Sequence, residues 1–434
     1  MEQPATKVPT MGKSRSARWL PTWNVSGAWN AHEEKFFSNL TSVLSHFTLK
    51  ASYSLTADRG PADVTNSQAI ITSYSPYRPF TSIQESGLYI KELENSELTY
   101  EKKHELNIGA DMGFLNNRIN LAVDWYKRNN YDLIGIVNTQ GAGGQILKYA
   151  NIASMKSHGI EFTLSTKNIK TKDFNWNTDF IFSNAKNEVT DLKQNANVME
   201  LISGNGFAKQ GYPVRGLFSI PFVGLDKDGI PVIINEKGEA TSTDINFQER
   251  QNTGFLKYEG PTDPTITGSL GNMFSYKGFR LNLFITYSFG NVIRLNPVFK
   301  AYYSDLTAMT REFKNRWTLP GDEAKTNVPA ILSKRMYDSN EDLKYAYNAY
   351  NYSTERIAKG DFIRLKEISL AYDFPKAWIN PLKLTDLSLK VQATNLFLIY
   401  ADDKLNGQDP EFFNAGGVAS PVPRQFTITL RLGL

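Results

Sequence analysis

Apolar and polar residues alternate one for one, segment after segment, along most of this chain. The last residues show it cleanly. Phe426, Ile428, Leu430, Leu432 and Leu434 take one parity, and Thr427, Thr429, Arg431 and Gly433 take the other. A period of two puts the two sets on opposite faces of a β-strand. The segment runs to the final carboxylate, where soluble chains usually fray. A strand needed to close a membrane β-barrel would end this way, although an ordinary sandwich strand is two-faced as well.

The same pattern recurs upstream. Leu106, Ile108, Ala110, Met112 and Phe114 alternate with Asn107, Gly109, Asp111 and Gly113. After Leu115-Asn116-Asn117 the alternation resumes, with Ile119, Leu121, Val123 and Trp125 against Asn120, Ala122, Asp124 and Tyr126. This predicts a hairpin with Asn where the turn needs positive φ. A second hairpin is predicted over about 265–289 around Tyr276-Lys277-Gly278, with Phe284 out of step. Further strands are expected at Trp19–Trp29, Phe47–Leu55, Gly159–Thr166, Phe174–Ser183, Phe362–Phe374 and Leu387–Thr394. In Phe362–Phe374 the parity slips between Leu365 and Ile368, which a bulge near Lys366-Glu367 would produce.

These segments are about as long as the 9–11 residues that cross a bilayer at a tilt. No stretch approaches the roughly 18 apolar residues of a spanning helix, so any crossing must be made by strands. Short turns are expected after Phe114, Thr166 and Phe274. Long connections rich in Tyr, Asn and Gly are expected after Arg128, Asn184 and Gly290, the last running to about Gly360. Alternating short and long connections belong to outer-membrane barrels. Within the last connection, Asn348–Asn351 is expected to be loop that tolerates deletion. The strand count over 190–261 is left open. The expected fold class is all-β: an antiparallel outer-membrane-type β-barrel, present as a partial arc of roughly a dozen strands.

Composition narrows the functions. Net charge is +4 and dispersed, which argues against nucleic acid. With no Cys, disulfides, thiolate catalysis and thiolate metal sites are excluded. The four His, at 32, 46, 104 and 158, lack metal-ligand spacing, and His32-Glu33-Glu34 is not H-E-x-x-H. Asp226-Lys227-Asp228-Gly229 lacks the further acidic positions of a calcium loop and is better taken as a turn. Asp409-Pro410-Glu411 is likewise expected to be a turn. Gly141-Ala142-Gly143-Gly144 has no strand-to-helix context for phosphate. No catalytic residue, cofactor or metal site is expected. Tyr302, Tyr303, Tyr345, Tyr347, Tyr350 and Tyr352 crowd the longest connection. They are candidate contacts for a ligand or a lid, with loop packing as the alternative.

Ordered motifs carry a family resemblance. Asn107-Ile108-Gly109, Gly113-Phe114-Leu115-Asn116-Asn117-Arg118-Ile119 and Asp124-Trp125-Tyr126-Lys127 resemble the SusC/RagA family of TonB-dependent outer-membrane transporters. So do Asn151-Ile152-Ala153-Ser154-Met155, His158-Gly159-Ile160-Glu161-Phe162, Phe174-Asn175-Trp176 and Gly211-Tyr212-Pro213. Gly224-Leu225-Asp226-Lys227-Asp228-Gly229-Ile230-Pro231 and Arg316-Trp317-Thr318-Leu319-Pro320-Gly321-Asp322 follow in family order. The set ends with Asp361–Tyr372, Ala393-Thr394-Asn395-Leu396-Phe397 and Asp409-Pro410-Glu411.

The resemblance implies an outer-membrane location and import of glycan or peptide oligomers. It implies a SusD-like surface lipoprotein as lid, and TonB engagement through an N-terminal part. It also makes Phe426, Ile428, Leu430, Leu432 and Leu434 the insertion strand. Residues 18–434 are expected to be the C-terminal part of the barrel, and 1–17 a lead-in. Met1–Pro9 has no apolar core of a secretory signal, and nothing matches the family's plug. Alone, such a chain is expected to be unable to perform gated import, and a separate chain supplying the rest of the barrel is one expectation. Two rival classes stay open: a passive structural or binding barrel, and a soluble β-rich glycan-binding module.

Overall fold

The computed structural model describes residues 6–7, 20–60, 69–75, 86–141, 146–298, 310–413 and 423–433. The strands that form its wall are β1 (Pro21–Asn30), β2 (Leu44–Asp58), β3 (Glu101–Phe114), β4 (Ile119–Asn138), β5 (Leu147–Lys170) and β6 (Phe174–Leu192). They continue as β7 (Ile266–Tyr276), β8 (Phe279–Phe289), β9 (Phe362–Asp373), β10 (Asp386–Ala401) and β11 (Gln425–Gly433). Together with the two-residue strand Thr6–Lys7 they make one twelve-stranded sheet, each strand antiparallel to its chain neighbour. No helix among the described residues is long and apolar enough to cross a membrane.

The connections alternate as expected. At one end lie 115–118, 171–173 and 277–278, together with the two somewhat longer links 31–43 and 374–385. At the other end lie 59–100, 193–265, 290–361 and 402–424, and with them the short link 139–146, where a long connection after Arg128 was expected. The tight turns have the anticipated chemistry: Leu115, Asn116 and Asn117 all adopt positive φ, as do Lys277 and Gly278. Several boundaries differ from expectation, β6 running to Leu192 and β10 to Ala401 among them. Polar residues after Arg128 looked like the start of a loop, yet β4 runs on to Asn138 and pairs with β5 as far as Leu147. The continuation passes an irregularity at Asp132, whose φ is 58°, and Lys102 pairs with its carboxylate at 2.7 Å. Likewise β5 passes Thr166 to reach Lys170. Several strands are therefore longer than a bilayer requires: the β4–β5 hairpin projects at the long-loop end, and β5 also extends at the short-turn end.

Register carries the two faces across the whole wall. One row passes through Trp29, Leu49, Ala110, Val123, Phe162 and Phe182 to Gly268, Tyr287 and Ile363. A second passes through Phe47, Met112, Leu121, Leu164, Phe180, Leu270, Ile285, Leu365 and Phe397. Beside the first row, on the side away from the second, runs a polar row of Lys50, Gly109, Asp124, Glu161, Ser183, Thr267 and Ser288. A one-residue slip would mix the faces, so this agreement across strands is what sets the register. The expected bulge is present. Ile285 pairs with Leu365 and Phe284 with Glu367, leaving Lys366 as the extra residue. That returns Ile368 and Leu370 to the face of Ile363 and Leu365.

The wall has no dry core. Phe426, Ile428, Leu430 and Leu432 are 56–75% exposed on its apolar face. The buried clusters lie instead in the long connections. Among the described residues the sheet does not close: β11 pairs only with β10, and beyond β1 there is only Thr6–Lys7. An unpaired backbone group in lipid costs several kcal/mol. The isolated monomeric chain should therefore give no discrete single-channel conductance in planar bilayers. Stable unitary steps from purified monomer would contradict the open arc.

Candidate functional site

The polar face begins near the short-turn end with a charge cluster. Lys50 Nζ lies 2.9 Å from Asp111 Oδ2 and 3.9 Å from Asp124 Oδ1. Gly109 makes room for it, since a Cβ there would meet Asp124 Oδ1 at 2.2 Å. All three charged groups are partly exposed, so the pairs contribute little stability and leave a hydrated, charged lining. Asn107, Asn120, Ser388, Lys390 and Gln392 share this face through the strand register.

Toward the long-loop end a loop is clasped onto the wall. Arg364 on β9 is 4% exposed. It donates from Nη2 to Asp409, and its Nε lies 3.1 Å from Glu411 Oε2. Asp409 also caps the short 3-10 helix Pro410–Phe412 by accepting from Glu411 N. The expected turn at Asp409-Pro410-Glu411 is thus present, and its carboxylates hold an arginine.

Above the wall, connections 193–265 and 290–361 fold together. Helix α1 (Val198–Ile202) starts with a capping box between Asn197 and Glu200. Its Leu201 and Ile202 pack with Phe218, Ile220, Ile233 and Ala349, the last from helix α2 (Leu343–Asn351) of the other connection. The open strand count over 190–261 resolves into small sheets: Gly216–Ser219 with Lys257–Pro261, and Phe222–Leu225 with Pro231–Ile234 and Ala240–Thr241. Arg294, 7% exposed, joins the two connections by donating to the carbonyls of Ser353, Ile202 and Phe218 at 2.9, 3.3 and 2.6 Å. Burial pulls its guanidinium down to about 9, and Glu259 opposes the shift.

This packing decides the tyrosines. Tyr347 and Tyr350 are 1% and 2% exposed, and their rings are closed to a ligand in this arrangement. Tyr347 donates its hydroxyl to Ala330 O at 3.0 Å, and Tyr350 meets Phe222 edge-on. Burial raises both hydroxyls, that of Tyr350 to about 12. Tyr352 is half-buried against the same core. Tyr345 is 38% exposed, with Lys344 Nζ over one face of its ring at 5.1 Å. Tyr302, Tyr303 and Leu434 lie outside the described residues.

Two of the recognised motifs interlock. Asp226 Oδ1 accepts from Asp228 N and Ile230 N, forming a turn that places Gly229 at φ 73° against the Trp317 ring. Trp317 donates Nε1 to Glu323 at 2.9 Å. Asp322 Oδ2 accepts from Thr318 and Leu319, which holds its carboxyl down at about 2. A Cβ on Gly229 would sit 2.5 Å from Trp317 Cδ2. Gly229→Ala should therefore cost about 1–3 kcal/mol, from left-handed backbone strain plus the clash. Limited proteolysis should cut the loop domain of this variant faster than that of the parent, and equal cutting rates would refute the interlock.

A cavity of about 440 Å³ opens where the projecting hairpin of β4 and β5 meets residues 194–208. Leu133, Ile134, Ile136, Leu147, Ile152, Leu192 and Phe207 make it largely apolar, with Gln194, Asn195 and Glu200 alongside. Sequence periodicity did not reveal this cavity or the buried arginines. The one available signal was Arg294 inside the apolar run Val292-Ile293-Arg294-Leu295.

No family model matches the chain. TonB-dependent receptor P3 of Formosa agariphila is 25% identical over 404 residues, covering 88% of this chain and 37% of that protein. TonB-dependent receptor SusC of Bacteroides thetaiotaomicron is 26% identical over 448 residues, covering 97% of this chain and 40% of that protein. The chain thus spans about two fifths of the length of these relatives. The solved RagAB peptide transporter matches with a TM-score of 0.74 at 23% identity, over 97% of this chain and 44% of that chain. Its fold is therefore that of the wall described above. By its two-faced open arc, its ordered motifs and these relatives, the chain is similar to TonB-dependent receptors of the SusC type, which are proteins of the outer membrane.

Proposed function

We propose that this chain forms part of the wall and mouth of an outer-membrane importer that takes up nutrient oligomers, with TonB supplying energy through an N-terminal part. The observation that carries the reading is the wall itself. One face is apolar across the strands and suits lipid, and the other is polar and charged. At one end the polar face is clasped by a folded loop through Arg364. In this reading residues 18–434 are the C-terminal part of the barrel and 1–17 a lead-in. A SusD-like lipoprotein sits on the loop domain, where Tyr345 offers a partly exposed aromatic ring. Of the two substrate classes, peptide oligomers are favoured over glycans. The cavity beside β4 and β5 is mostly apolar, which fits amino-acid side chains better than hydroxyl-rich sugars.

Uptake by cells with and without the gene tests this, using labelled oligopeptide and oligosaccharide mixtures. Loss of oligopeptide uptake alone is the expected result. Unchanged uptake of both would sink the transport reading, and loss of oligosaccharide uptake alone would overturn the substrate choice. Co-purification of a surface lipoprotein with the tagged chain tests the lid separately.

A further inference from the structure

We propose that His32 and His46 form a binding site for a divalent transition-metal ion at the short-turn rim, a site independent of the transport reading. The two residues are far apart as ligand spacing goes, but the fold brings their rings together, with centroids 4.2 Å apart and planes tilted by 50°. The hydrogen bonds around them determine which nitrogens carry lone pairs. His32 Nδ1 lies 3.0 Å from Phe47 O, and a carbonyl only accepts, so Nδ1 carries the proton. The neutral ring then has its lone pair on Nε2.

The second ring is resolved by a longer chain of bonds. Thr48 Oγ1 donates its single hydrogen to Asn30 Oδ1 at 2.9 Å. It must therefore accept at its 3.2 Å contact with His46 Nε2, which makes Nε2 the protonated nitrogen. The lone pair of His46 is left on Nδ1. Among the described residues neither His32 Nε2 nor His46 Nδ1 has a hydrogen-bond partner.

This is the outer-shell arrangement of metal-binding histidines, in which the far N–H is anchored to a carbonyl or hydroxyl and the near nitrogen is free. Two nitrogens bound to one ion at about 2.0–2.1 Å lie roughly 3–4 Å apart, within reach of rings at this separation. The support is rigid. Thr48 is 8% exposed, and Ala31 and Phe37, at 2% and 3%, seat the connection that carries His32. No group of three or more His, Cys, Asp or Glu is gathered among the described residues, so water would complete the coordination. Imidazole ligands with open positions suit Cu(II), Ni(II) or Zn(II), with Cu(II) the tightest binder. Bound there, the ion would clip the link 31–43 onto β2.

Cu(II) titration of the detergent-solubilised full chain from outer membranes tests the site, followed by electron paramagnetic resonance. The expected result is one Cu(II) per chain whose hyperfine pattern shows two imidazole nitrogens. That signal should be lost in H32N and in H46N and kept in an H104N/H158N control. T48V, which keeps the side-chain volume and removes the hydroxyl anchor, should weaken Cu(II) binding by about 10–100-fold. Proteolysis patterns matching the parent show that the variants are folded. Absence of saturable Cu(II) binding in the parent, or the same stoichiometry and spectrum in a folded H32N/H46N variant, would overturn the proposal. An unchanged affinity in folded T48V would overturn the assigned anchoring.

Discussion

Removing Leu432-Gly433-Leu434 should reduce the outer-membrane level of the receptor to a small fraction, whereas removing Lys237-Gly238-Glu239 should leave it near the parent level. The two deletions are equal in length and opposite in placement. β11 pairs with β10 from Gln425↔Thr394 to Gly433↔Asp386, and its second edge is free. Its apolar residues Phe426, Ile428, Leu430 and Leu432 are uncovered, available both to lipid and to assembly machinery. Losing its end strips ladder bonds from β10 inside the bilayer, where each unsatisfied backbone group costs several kcal/mol. Lys237, Gly238 and Glu239 form an exposed turn beside the two-residue strand Ala240–Thr241, in water, where shortening is tolerated. The segment Asn348–Asn351, which sequence marks as dispensable loop, is unsuitable as the comparison. It ends helix α2 and contains the buried Ala349, Tyr350 and Asn351. Fractionation with immunodetection decides, and comparable outer-membrane levels for the two deletions would remove any special role from β11.

Val123→Arg should destabilise the assembled wall by about 2–4 kcal/mol, and Ala122→Arg by less than about 1 kcal/mol. The residues are neighbours in sequence and opposite in face. Val123 lies in the apolar row between Ala110 and Phe162 and meets lipid. Ala122 stands opposite Asp111 on the polar face, where an added guanidinium finds water and a carboxylate. Denaturant unfolding of the assembled receptor in lipid measures both. Equal costs would show that the faces are misassigned.

How much was legible beforehand depended on whether a feature was local. The β4 faces, the turn at Leu115-Asn116-Asn117 and the bulge at Lys366 follow from short-range pattern, because side-chain period and turn sterics act within a few residues. Alternation places the end of β4 too early because Asn129-Asn130-Tyr131-Asp132 is polar on both faces, as a strand must be once it leaves lipid for water. Its continuation is decided by pairing to β5 and not by its own alternation.

The candidate sites were mostly illegible, for a related reason. Tyr345 and Tyr347 look equivalent in sequence, yet helix α2 turns one outward and buries the other against Ala330. Gly229 and Trp317 belong to separate motifs, and only the joined loop domain shows that one exists to seat the other. The same holds for His32 with His46 and for Arg364 with Asp409, pairs assembled by strand register and by the return of a long loop. Sequence by itself determined that this chain is built of two-faced strands joined by alternating short and long connections, since side-chain period and turn chemistry are local; that these strands form one open wall was decided by their pairing. Tertiary structure alone decided which loop residues are interior and which side chains meet across it. Those contacts depend on burial and long-range geometry, which no local period encodes.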